Sequence, residues 1–151
     1  MWNKDKSIVL SQVLIKVCYA AVIVCCIFAP KVFEYYDSIE VHFSGTGSVF
    51  LPLTVTFYCC VPPALTALVC LDILLKNIKN DQAFINKNVI LLRILSYCCF
   101  AVSVILIYFS LLRPIMFIVV FAAAFFGIIL RVVKNCFQQA VALREENDFT
   151  I

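Results

Sequence analysis

Charge is what this chain has least of. Asp, Glu, Lys and Arg together make up 14% of its 151 residues, against about 25% in soluble domains. There is one histidine, His42, beside Glu40 and Asp37. A single imidazole there lacks the spacing of a metal site and reads as a solvated loop residue. No Gly-rich phosphate loop, nucleophile elbow or zincin helix occurs, so no enzyme is expected and no cofactor is implied. The alternating pattern of a membrane barrel is also missing. Without an internal repeat or a low-complexity linker, residues 1–151 read as one unit. No small-x-small site follows the first apolar run, which at about 22 residues exceeds a signal-peptide core, so cleavage is not expected.

What is there is apolar side chain. Hydrophobic residues reach 64% and the mean hydropathy is +1.05. They fall into four blocks, at about 7–28, 50–75, 89–112 and 115–133. Each is long enough to cross a hydrocarbon layer of roughly 30 Å, which takes about 20 helical residues. In lipid such a segment must satisfy its own backbone hydrogen bonds, which selects helix. The expected fold class is therefore an all-α integral membrane protein, a bundle of four transmembrane helices.

Basic residues give its orientation. Lys4, Lys6 and Lys16, then Lys76, Lys79, Lys87 and Arg93, then Arg131, Lys134 and Arg144 map to one side. Only Lys31 and Arg113 map to the other. The positive-inside rule makes the ten-residue side cytoplasmic, with both termini inside. The net charge of +3 expresses this bias, and no direct nucleic-acid binding is expected. Residues 29–49 become an extracytoplasmic loop, in which alternating Ile39, Val41 and Phe43 before Gly45-Thr46-Gly47 suggest a short strand or hairpin. Residues 76–88 form a cytoplasmic loop. Residues 134–151 form a cytoplasmic tail, opening as an amphipathic helix along Val133, Phe137, Ala140 and Val141.

Several residues invite a functional reading. Pro62-Pro63 removes hydrogen bonds in mid-helix and should kink it. Such breaks line ligand sites in some transporters, though a helix merely shaped by its neighbours is the plainer reading. Ala123 and Gly127 lie four apart and permit close helix packing, against this chain or a second copy in a homodimer. Nine cysteines include the pairs Cys25-Cys26, Cys59-Cys60 and Cys98-Cys99. With no Cys-x-x-Cys and no loop position, they read as packing groups, and membrane thiol redox chemistry ranks last. Lys16, Asp72 and Arg93 are charges inside apolar helices, and Asp72 is expected to pair with Arg93 or Lys16. Phe84 suits an interfacial anchor and Asn88 an N-cap of the third helix. Glu145 and Glu146 end a helix against its dipole, with Asp148 following in the tail. They suggest either a latch onto the basic 76–93 connection or a handle, with Phe149 and Ile151, for another protein.

The connection reads NIKNDQAFINKNVILLRI. Its Phe84, Asn88 and Leu92-Arg93, together with the terminal EENDFTI, resemble the bacterial membrane family catalogued as domain of unknown function 2975. The resemblance covers the four-span layout. It implies recurrent positions at Phe84, Asn88, Leu92, Arg93, Glu146, Asn147, Asp148, Thr150 and Ile151. Phe149 departs from a more usual Leu. Family members are often encoded beside a small helix-turn-helix regulator, which implies a soluble partner at the inner membrane, and no catalytic residue carries over. The leading expectation is a non-enzymatic regulatory or sensory partner of that kind of protein. A small transporter or peptide-immunity protein is the alternative.

Overall fold

In the computed structural model, which describes residues 4–44 and 48–148, the chain forms four long helices: α1 (Lys4–Ser44), α2 (Phe50–Lys79), α3 (Asn86–Leu112) and α4 (Phe117–Asp148). A single 3-10 turn, Pro114–Met116, links the last two. Each helix is long and apolar enough to cross a membrane.

Helix α1 corrects the expected loop at 29–49. It has 41 residues, or roughly 60 Å, twice the hydrocarbon thickness. It carries Pro30, His42 and the alternating segment to Ser44 as helix, and no strand or hairpin occurs among the described residues. Extending an existing helix adds one hydrogen bond per residue without a new nucleus, whereas an isolated hairpin is marginal in water. Pro30 lacks the N–H that would serve the Cys26 carbonyl. The Tyr58 hydroxyl, from α2, donates to that carbonyl at 2.9 Å instead. The backbone group freed by the proline is thus paired across the helices, as an apolar medium demands.

Asp37 of α1 also completes α2. Its carboxylate accepts from the Val49 and Phe50 amides at 2.7 and 3.1 Å and from the Ser48 hydroxyl at 2.7 Å. An acid supplied from a neighbouring helix therefore caps the first turn of α2. Phe33 meets Phe57 edge-on at 5.4 Å between ring centres just beyond. Helix α2 runs unbroken through Pro62-Pro63. The prolines leave the Tyr58 and Cys59 carbonyls without their helical donors.

Helix α3 carries most of the buried side chains. Ser96, Ser103 and Ser110 recur every seven residues and are all buried. Each hydroxyl is satisfied by a carbonyl: Gly127 for Ser96, Phe100 for Ser103 and Ile107 for Ser110. Small residues at this spacing let α4 come close. At Gly127 a Cβ would stand 3.0 Å from Cε1 of Phe100, so the glycine makes room for that ring. The close-packing partner of Gly127 is therefore α3 of the same chain.

The helices do not close around a common core. Among the described residues α1 packs on α2 alone, α2 on α1 and α3, and α3 on α4. The result is a row in chain order, unlike the expected bundle. Lipid solvates apolar side chains as well as other helices do, so nothing forces the row to close.

Candidate functional site

The densest polar structure lies where α2 turns into α3. Helix α2 ends in a Schellman arrangement: the Gln82 amide bonds the Asn77 carbonyl at 2.9 Å and the Asp81 amide bonds that of Ile78 at 3.1 Å. Asp81 takes the left-handed position with φ of 57°, a conformation that Asp tolerates better than most residues.

Asn88 secures this turn. Its side chain is fully buried and every hydrogen it can donate is used. The amide nitrogen donates to the carbonyls of Gln82 at 2.8 Å and Ala83 at 2.7 Å. The amide oxygen accepts from Asn77 of α2 at 2.6 Å. Two carbonyl partners on one side fix which end of the amide is nitrogen. Asn88 is thus not an N-cap: Ile85 precedes α3 with extended backbone, and Asn88 sits inside the first turn. It faces inward because the loop carbonyls, with no strand or helix to serve them, need a buried donor.

The end of α4 forms the opposite wall. Phe84 rests against Phe137 of α4 at 5.5 Å between ring centres. Asn86 donates to a Glu145 carboxylate oxygen at 3.1 Å. Glu145, unfavourable at the end of its own helix, therefore stands at the start of α3, where the dipole favours negative charge. Between the walls lies a cleft of about 410 Å³, with Asp81, Gln82, Phe84, Ile85 and Asn86 on one side. Val141, Arg144 and Glu145 line the other. Glu146 is exposed nearby and Asp148 ends α4. Phe149, Thr150 and Ile151 lie outside the described residues.

The expected charge cluster is not assembled. Asp72 pairs with Lys76 on its own helix, at 2.5 Å. Lys16 and Arg93 are exposed, and neither makes an ion pair with Asp72. A partner one turn away is always within reach, while a partner on another helix needs a matching register. Arg93 instead lies with Arg131 and Lys134 beside Ser96 and Tyr97. The grooves beside Pro63 are apolar: Ala64, Cys98, Val102, Ala123 and Phe126 line one, and Val22, Phe57 and Val61 belong to another. All nine cysteines are free thiols. Among the described residues no three His, Cys, Asp or Glu side chains are grouped to share a metal ion.

The sequence carries no functional mark on Asn77 or on the serine stripe of α3, and it shows Asp37 and Phe137 only as a loop acid and a member of the amphipathic stripe. The serine stripe has a local signal, its seven-residue spacing. The others are defined by partners distant in the chain.

A family model described as a protein of unknown function, DUF2975, matches residues 36–151. No curated protein and no solved structure matches the chain.

Proposed function

The chain belongs to the DUF2975 family, and on that premise we propose that it is a non-enzymatic regulatory membrane protein whose cytoplasmic face docks a soluble partner. The observation that carries this reading is the cleft. It is built from the connection that bears Phe84 and Asn88 and from the last turns of α4, the two segments on which the family resemblance rests. Positive charge gathers on the same side, so the positive-inside rule places the cleft and both termini in the bacterial cytoplasm, with the four helices in the inner membrane. Apolar Phe84, Ile85 and Val141 beside charged Arg144 and Glu145 suit an amphipathic segment of a protein. A soluble helix-turn-helix regulator is the partner favoured by the family resemblance. Helix displacement in the membrane would reach it through α4, which runs from the apolar row into the cleft wall.

A transporter is the weaker reading. Apolar walls beside Pro63 suit an acyl chain or a neighbouring helix and give a polar solute no hydrogen-bond partner.

The test is co-purification of the full chain with a helix-turn-helix regulator of the kind encoded beside family members. Recovery is expected to fall at least tenfold when residues 145–151 are deleted, or when Arg144 and Glu145 are both replaced by Ala. Unchanged recovery in both variants would overturn the docking role.

A further inference from the structure

Arg93 of α3 and Arg131 and Lys134 of α4 converge on one small cavity between the two helices, which Ser96 and Tyr97 complete. We infer that this cavity binds the phosphate of an anionic phospholipid headgroup.

The charge is one-sided. No acidic side chain lines the cavity, and among the described residues none of the three cations pairs with a carboxylate. Three like charges gathered around one cavity repel one another, and an anion among them relieves that repulsion. The Arg131 guanidinium lies over the Tyr97 ring at 5.6 Å from its centre. That contact orients a planar donor fork suited to phosphate oxygens. The Ser96 hydroxyl already donates to the Gly127 carbonyl, so recognition falls to the cations and selects for charge.

Depth and shape point to a lipid. Twenty residues of helix and turn separate Arg93 from Arg113, a span of roughly 30 Å, the thickness of the hydrocarbon layer. With Arg113 at one boundary, the cavity lies at the other, level with headgroup phosphates. Its volume of about 20 Å³ admits one oxygen-sized group, so a phosphate oxygen enters while the remainder of the ligand stays outside. From Tyr97, the exposed side chains Val104, Tyr108 and Leu111 continue one face of α3 toward the far boundary, because intervals of seven and four residues return to the same side. An acyl chain can follow that face, which a free phosphate would not use. The site shares no lining residue with the cleft and does not depend on a soluble partner.

Native mass spectrometry of the full chain tests this, after incubation in non-ionic detergent with equimolar phosphatidylglycerol and phosphatidylcholine. The wild type is expected to retain phosphatidylglycerol preferentially. Arg93→Gln should reduce that preference roughly fivefold, as expected for one basic residue at a membrane surface. Arg93→Lys should keep most of it. The triple Gln variant at 93, 131 and 134 should lose it while keeping wild-type helix content by circular dichroism. If the triple variant does not fold, the contrast between Arg93→Gln and Arg93→Lys decides. Equal retention of both lipids by the wild type, or an unchanged preference in Arg93→Gln, overturns the assignment. So does inorganic phosphate that raises the melting temperature as much as phosphatidylglycerol and displaces it, since the ligand would then be a free oxyanion.

Discussion

Asn88 ties three backbone and side-chain groups from α2 and the following turn to the first turn of α3, in a place that water does not reach. Its importance is in the number of groups it would strand. Asn88→Ala leaves two carbonyls and the Asn77 amide without partners, at roughly 1–3 kcal/mol for each group that stays buried. Asn88→Asp is the sharper variant. It has nearly the same shape and can still accept from Asn77, but as a carboxylate it cannot donate to Gln82 and Ala83 and repels both carbonyls. Both variants are expected to melt at lower temperature in detergent and to speed amide exchange over residues 80–85. If Asn88→Asp matches the wild type in both measurements, the hydrogen-bonding role is wrong. The residue type alone suggested a cap, because Asn near a helix start usually is one. Its actual partners were not legible, since Asn77 and the loop carbonyls are chosen by the turn's shape.

At the scale of elements, the junction of α1 and α2 rests on a proline and a tyrosine that compensate each other. Pro30 removes the donor for Cys26, and Tyr58 supplies another. Tyr58→Phe should therefore cost roughly 1–2 kcal/mol. In a Pro30→Ala background, where residue 30 regains its N–H, the same change should cost much less. Thermal unfolding of the four proteins of this cycle measures the coupling. Equal costs in the two backgrounds would remove the compensation. Helix existence was legible here and helix length was not. The apolar run ends near Phe28, but a helix already nucleated continues wherever its side chains permit. Helix α4 also continues past Val133, to Asp148, but there the stripe of Val133, Phe137, Ala140 and Val141 already marks a helix in the sequence. For α3, the seven-residue serine spacing was present in the sequence. It told nothing of α4 until Gly127 and Phe100 met across it.

As a whole molecule, the protein is a row of helices with apolar side chains exposed along its outer faces, among them Leu14, Ile27, Val104 and Phe121. A surface of that kind is stable against hydrocarbon and costly against water. If the row crosses the membrane four times, both ends lie on the side that carries ten of the twelve basic residues. Fluorescent protein fused after Ile151 should then fluoresce in the cytoplasm, and alkaline phosphatase fused at Gly45 should be active outside. Alkaline phosphatase active after Ile151 would invert this topology.

By itself, the sequence determined the four apolar helices and the family. Hydropathy over some twenty residues is a sum of local terms, and the family pattern is carried by residues close together in the chain. The charge bias is likewise a count along the chain. The tertiary structure decided the pairings between elements: Glu145 with Asn86, Tyr58 with Cys26, and Arg93 with Arg131 and Lys134 around one cavity. Each depends on helix register and on which faces meet. In lipid those are set by close packing and by the need to pair every buried polar group, which hydrophobicity does not encode.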